Sequence, residues 1–510
     1  MTIRLSLVLI VTAAVAGCGR PSTGPAGTTI TNVQIADGSG GPLRAGAVRV
    51  VGDSIVAVGD VKPASGDSVV DGHGLVLAPG FIDTHSHHDW GLTKTPDALA
   101  AVSQGITTIV AGQDGSHPMP LAAAMESLMV KNPAINVAFY AGHGTIRSAV
   151  MGADFARHAT GKEVDSMAVL LKREMDAGAL GLSSGLEYDP GINSDRSEVL
   201  ALAKVAAASG GRYISHIRSE DRWFWEAIDE IITIGRETKM PVQVSHMKLA
   251  MITLWNQADS LTRVLDRARA SGVDITADVY PYTYWQSTLT VLFPKRDFAN
   301  RAEALKILKE IAKPEGLLIG DFAANPSYAG KTVAQIAVLR REDPASALME
   351  LIKEALAYKK AHPDAGDAES VVATSMSEPD VAKLLAWEHT NVSSDGALDG
   401  AHPRGYGAFP RVLGRMARDE KVFPFPVAIR KMTSLSAAHM GIRRRGMVAP
   451  GYFADLVPLD PATVIDHATP AEPHLVSSGI ERVWVNGQTV WQAGKTTTAR
   501  PGRVLKRQVP

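Results

Sequence analysis

From Pro79 to about residue 445, short apolar runs rich in Val, Ile and Thr alternate with stretches whose apolar residues recur at helical spacing. The runs are "GFIDTHSH", "ITTIVAG", "NVAFYAGHG", "GALGLSSG", "RYISHI", "PVQVSHM", "DITADVYPY" and, last, either "VVATS" or "NVSSDG". Between them lie amphipathic segments such as "EVLALAKVAAASGG" and "SLTRVLDRARASG", closed by glycine. Strands apolar on both faces belong to a parallel sheet covered on both sides by helices. About eight such units predict an α/β fold, most economically a closed (β/α)8 TIM-type barrel over residues 79–445. A doubly wound open sheet is the rival. Residues 288–370 break the rhythm and read as a charged, helical insertion.

The two ends have another texture. Residues 29–78 are short strands with turn punctuation, and "AVRVVGDSIVAVGD" reads as a hairpin turning at Gly52-Asp53. Residues 446–506 repeat the pattern, with a hairpin turning at Asn486-Gly487. Neither block has enough residues for its own core, which predicts one small β-sandwich built from both ends. At the start, Arg4 precedes "LSLVLIVTAAV" and then Val15-Ala16-Gly17-Cys18. Residues 1–17 have the layout of a secretory signal, too short for a spanning helix. They resemble a bacterial lipoprotein signal, with Cys18 as the lipidated residue. Residues 18–28 read as a flexible tether. The expected location is the bacterial cell envelope, facing the periplasm, with the membrane touched only through the anchor.

Charge and cysteine content narrow the function classes. The formal net charge of the 510 residues is −1, with no basic stripe interleaved with aromatics, so nucleic acid is not an expected partner. Arg443-Arg444-Arg445 reads as a solvated helix end. The one cysteine is Cys18, which leaves no internal disulfide and no buried thiolate ligand. Histidine placement points elsewhere. In "PGFIDTHSHHDW", strand alternation sends Asp83, His85 and His87 to one side and Thr84, Ser86 and His88 to the other. His216 ends "RYISH", His246 ends "VQVSH", and Asp395 follows "NVSS". In a barrel, such strand ends converge on one mouth, and four imidazoles with a carboxylate there predict a metal site.

On these residues the chain resembles the amidohydrolase superfamily, and within it the D-aminoacylase / N-acyl-D-amino-acid deacylase family. The matching stretches are "APGFIDTHSHHD", "GITTIVAGQDG", "GALGLSSGLEYDPG", "SHIRSE", "VQVSHMK", "SSDG", "HPRGYGAFPRVLG" and "APGYFADLV". The resemblance implies that His85 and His87 bind one metal position, His216 and His246 the other, and that Asp395 is the catalytic carboxylate. D-aminoacylases resembling this chain often bridge their metals with a cysteine after the second strand; here that segment is Gly112-Gln113-Asp114-Gly115. Asp114 or Glu187 must supply the bridge, and the longer reach of Glu187 favours it. The all N/O donor set suits one or two zinc ions, with other divalent metals allowed.

The implied chemistry is hydrolysis of an N-acyl amino acid, of the D series by resemblance, by metal-activated water. Asp395 would shuttle the proton, and Tyr188 or Tyr282 would donate to the oxyanion. Lys248 offers a point charge and Arg404 a bidentate fork for a free carboxylate. The family places Tyr282 and Ser287 beside them, and His143 at a strand end is a further candidate for substrate contact. Dipeptides or cyclic amides are alternative substrates. Two serine-hydrolase patterns compete: Gly-x-Ser-x-Gly around Ser183, and Ser-x-x-Lys at Ser245 and Lys248. A catalytically inactive, lipid-anchored binding protein is a reading from another class.

Overall fold

The computed structural model describes residues 25–508; the signal segment and Cys18 lie outside them. The β-branched runs form parallel strands in two sheets joined through Tyr140. One sheet pairs Phe81–Asp83, Ile106–Ala111 and Asn136–Phe139 in sequence. The other runs from Ala141–Gly142 through Gly181–Gly185, Arg212–His216, Val242–Val244 and Ile275–Val279 to Thr390–Val392. Strand residues are buried almost without exception, which is why the sequence shows continuous apolar runs and no alternation. The last strand bonds back to the first: Asp395 N–H donates to His85 O and His87 N–H to Gly396 O, each at 2.9 Å.

Helices cover the strands, and their ends follow local chemistry. Gly161–Ala177 starts with a capping box between Thr160 and Glu163 and stops at Gly178 in the left-handed region. Its Met167, Leu171 and Met175, four apart, face the core.

Strands from both chain ends form one nine-stranded sheet, in which Leu456–Leu459 pairs antiparallel with Val76–Pro79. The sheet curls until Ile55 N–H reaches Tyr452 O and Gly451 N–H reaches Ile55 O. It thereby encloses its own core of Ile30, Val48, Ile55, Leu77, Leu456 and Trp484. Both hairpins turn where the sequence places them. Asn486 and Gly487 have φ of 48° and 79°, the pair of left-handed residues that a two-residue hairpin needs.

The structure decides one open alternative and corrects two expectations. "VVATS" belongs to Glu369–Thr374, the middle strand of a separate antiparallel sheet with Tyr284–Ser287 and Leu317–Phe322; the last parallel strand is in "NVSSDG". The helices of the insertion pack with this small sheet. Val504–Leu505 leaves the small sheet and pairs in parallel with Val137–Ala138. Arg445 is no solvated helix end: it is buried and paired with Asp455.

Candidate metal centre

The C-terminal ends of the parallel strands bring together side chains far apart in sequence. His85 Nε2 lies 3.4 Å from Asp114 Oδ2 and 3.4 Å from Asp395 Oδ1; His87 Nε2 lies 3.3 Å from each of the same oxygens. Tetrahedral ligand bonds of about 2.0–2.2 Å put neighbouring donor atoms about 3.3–3.6 Å apart. The four observed edges fit that figure, and these atoms are too far apart to be good hydrogen bonds to one another. The other oxygen, Asp114 Oδ1, is buried without a hydrogen-bond partner and lies 3.4 Å from His246 Nε2. His216 Nδ1 is 3.0 Å from the same His246 nitrogen. Asp114 thus belongs to two groups of donors, His85–His87–Asp114–Asp395 and Asp114–His216–His246.

This geometry reverses the preference for Glu187 as the shared carboxylate. Glu187 Oε2 lies 2.9 Å from His216 Nε2, but neither oxygen reaches the His85–His87 pair. Asp114 gains its position from the loop and not from side-chain length: its own φ is 52°, and it is flanked by Gly112 and Gly115 at 73° and 77°. His246 and Asp395 also have positive φ, 31° and 48°, a conformation that non-glycine residues adopt at a cost and that clusters at functional sites.

The electrostatics call for positive charge at the centre. Burial alone would depress His87, yet Asp114 and Asp395 beside it raise it to about 9. His85 is raised well above its ordinary value against the same desolvation, by Asp114, Asp278 and Asp395. Burial opposes ionisation of Asp114 and Asp395, but the imidazoles, and Arg404 for Asp395, hold both carboxyls well below the usual range. A divalent cation satisfies such carboxylates in place of imidazole protons. The donors are all N and O, so the residues present fit a zinc-type ion.

Orienting groups lie behind these donors. Asp278 accepts the His246 backbone N–H at 2.9 Å and stands 3.7 Å from His85 Nδ1. Glu220 Oε1 lies 2.9 Å from His246 Nδ1 and accepts from Lys248 Nζ at 2.6 Å. Such contacts fix which imidazole nitrogen faces the centre. Neither carboxylate emerged from the sequence reading, although Asp278 was visible as an acid inside the apolar run "DITADVYPY" and Glu220 stands four residues after His216.

The cluster opens into a cleft of about 1550 Å³ that reaches solvent and is lined by Trp90, Tyr188, Ser287, Thr290, Arg296 and Arg404 among others. Lys248 joins the wall of an adjoining pocket with His216, His246 and Arg404. Tyr188 packs its ring 4.3 Å from that of His216. Arg404 holds Asp395 Oδ2 at 2.6 Å and keeps its buried Nε without a partner. Two expected contacts are absent. Tyr282 turns away, its hydroxyl donating to Asp466 Oδ2 at 3.4 Å under Arg411. The tyrosine that meets Arg404 and Lys248 is Tyr280, whose ring lies beneath both and whose buried hydroxyl has no partner among the described residues. His143 heads a helix, 2.7 Å from Glu198, and lines neither pocket.

The serine patterns lack their machinery. Ser183 is buried in mid-strand and donates to Gly112 O at 2.6 Å, while His439 and His467 sit on Asn391 and Ser478. Ser245 and Lys248 follow a strand and do not begin a helix.

The amidohydrolase family model matches residues 68–390 and 388–491. The chain belongs to the amidohydrolase family. It is 36% identical over 497 residues to an N-acyl-D-glutamate deacylase of Alcaligenes xylosoxydans xylosoxydans, covering 93% of this chain and 95% of that one. A crystal structure of D-aminoacylase, which defines a subset of amidohydrolases, matches with a TM-score of 0.84 at 34% identity, over 95% of this chain and 100% of the other. The N-acyl-D-glutamate deacylase of Bordetella bronchiseptica, crystallised with zinc and a phosphonate mimic of the tetrahedral intermediate, matches at 0.83 and 32% identity, covering 94% and 99%. In this amidohydrolase the family's chemistry, metal-dependent hydrolysis of amide bonds, coincides with the donor cluster.

Proposed function

We propose that this amidohydrolase removes the acyl group from N-acyl-D-amino acids. The observation that carries the reading is Asp114 shared between the His85–His87–Asp395 group and His246, in the lining of a cleft that Arg404 also walls, with Lys248 in the adjoining pocket. Zinc, as one or two ions, is the metal that best suits these donors; once bound it would polarise the scissile carbonyl and lower the pKa of water to about 7. Asp395, kept ionised by Arg404, accepts the proton of the attacking water and returns it to the leaving nitrogen. Tyr188, inside the cleft, donates its hydroxyl to the carbonyl oxygen as charge develops there. Arg404 and Lys248, with Tyr280 and Ser287, bind the free carboxylate beside the amide.

The framework proposed for this site is a closed barrel of the eight parallel segments, carrying the small sheet on its side. The return bonds from Asp395 and Gly396 to the first strand support closure. Lipidation of Cys18 and a periplasmic position complete the reading, on the sequence of residues 1–18.

The test is turnover of paired N-acyl-D-amino acids, N-acyl-L-amino acids, dipeptides and cyclic amides by zinc-loaded enzyme, with Asp395→Asn alongside. Hydrolysis of the D series, lowered about 10²–10⁴-fold in the variant, is expected. Preference for a cyclic amide or a dipeptide, or full turnover by the variant, would contradict the proposal.

A further inference from the structure

The face opposite the metal centre gathers cations, several of which have no carboxylate partner among the described residues. Arg212 opens the strand that His216 closes, so the two ends stand about 13 Å apart at about 3.3 Å per residue. Arg443, Arg445, Arg503, Lys506 and Arg507 line one groove open to solvent at that end, with Gly441 at its edge. A Cβ on Gly441 would meet the Arg212 guanidinium at 2.9 Å, so Arg212 continues the same patch.

Arg445 and Arg503 are committed to Asp455 and Asp53. Arg507 directs its guanidinium to the carbonyls of Met175, Ala179 and Ser209, where two helices end. That role explains Arg507. It does not explain Arg443 and Lys506, which are exposed on the same groove and form no ion pair among the described residues. In a chain of formal net charge −1, this is a concentration of one sign on one face.

The described chain also begins near this face. Gly27 packs against Val50 and Val51, the strand turns at Gly52-Asp53, and Asp53 holds Arg503 at 2.8 Å. Only six residues lie between Pro25 and Cys18. We propose that this basic face rests on an anionic phospholipid bilayer and holds the cleft towards solvent. The proposal rests on the reading of Cys18 as a lipid anchor. Attraction to an anionic leaflet fades beyond a Debye length of about 8 Å, so the exposed cations of this face contribute and those around the cleft do not. Each cation near the surface adds about fivefold to membrane partition.

The experiment uses the full chain, extracted from membranes and mixed with vesicles of neutral phosphatidylcholine or of phosphatidylcholine with phosphatidylglycerol. Flotation reports attachment, and amide hydrogen exchange reports the face in contact. Slowed exchange over residues 441–445 and 503–507 is expected with phosphatidylglycerol only, reversed by high salt. The double variant Arg443→Glu, Lys506→Glu should lose that protection about tenfold or more, with turnover in detergent unchanged. Equal protection on both vesicle types, protection that survives the double reversal, or protection by a DNA duplex in place of vesicles would overturn the proposal. Failure to float on neutral vesicles refutes the anchor alone, and the phosphatidylglycerol arm still decides the face.

Discussion

At the scale of residues, Asp114, His246 and Asp395 all adopt positive φ, and none is glycine. Each such conformation costs on the order of 1–3 kcal/mol and persists when the surroundings over-determine it. Asp114 presents one oxygen to the His85–His87 pair and the other to His246, whereas Glu187 lies beside His216 and Glu220, away from the His85–His87 pair. Asp114→Ala should therefore lower bound zinc, read by metal analysis after gel filtration, while Glu187→Ala should keep nearly full stoichiometry; the opposite ranking would restore Glu187 as the bridge. Ser183→Ala should keep wild-type turnover in a direct assay, since its hydroxyl serves a backbone carbonyl. The histidines were legible in the sequence because each ends an apolar run, a position where a side chain leaves the core for the mouth. The choice between Tyr280 and Tyr282 was not. Two tyrosines two residues apart share a face in a regular strand, but this strand ends at Val279, and beyond it backbone direction, invisible in composition, decides which ring packs under Arg404 and Lys248.

At the scale of elements, the loop that carries Asp114 is clamped by glycines of neighbouring strands. A Cβ on Gly185 would lie 2.2 Å from Asp114 O, and one on Gly142 would lie 2.3 Å from Gly115 O. Backbone cannot yield there as a flexible side chain could. Gly185→Ala should displace the loop and weaken zinc binding about 10–100-fold in competition with a chromophoric chelator, the range seen when groups supporting a metal ligand are lost; unchanged affinity would show that the loop has room to move. The parallel strands and the two hairpins were readable because full burial and Asn-Gly or Gly-Asp turns leave strong local marks. The antiparallel sheet of the insertion was not. "VVATS" is as apolar as one of the parallel strands, and its partner Leu317–Phe322 is flanked by helices, so only long-range pairing distinguishes it. The departure of Val504–Leu505 to join Asn136–Phe139 has the same cause.

At the scale of the whole molecule, stability and activity should respond to pH and metal separately. Lys431 is buried, donates to Thr390 O at 3.3 Å and to Trp387 O, and is pushed down to about 7 by burial and by Arg430. The unfolded chain keeps this proton up to about 10.4, so between pH 7 and 10 it binds more protons than the folded one. Stability should therefore rise with pH across that window through Lys431, and Lys431→Met should flatten the rise in urea titrations; an identical slope in both proteins would remove Lys431 as the cause. The cluster at the strand ends makes a different demand, for a cation in place of protons. Its most direct test is turnover of an N-acyl-D-amino acid by chelator-stripped protein as zinc is returned. Activity absent without metal and restored at one to two equivalents is the predicted result, and full turnover by the stripped protein would contradict the account.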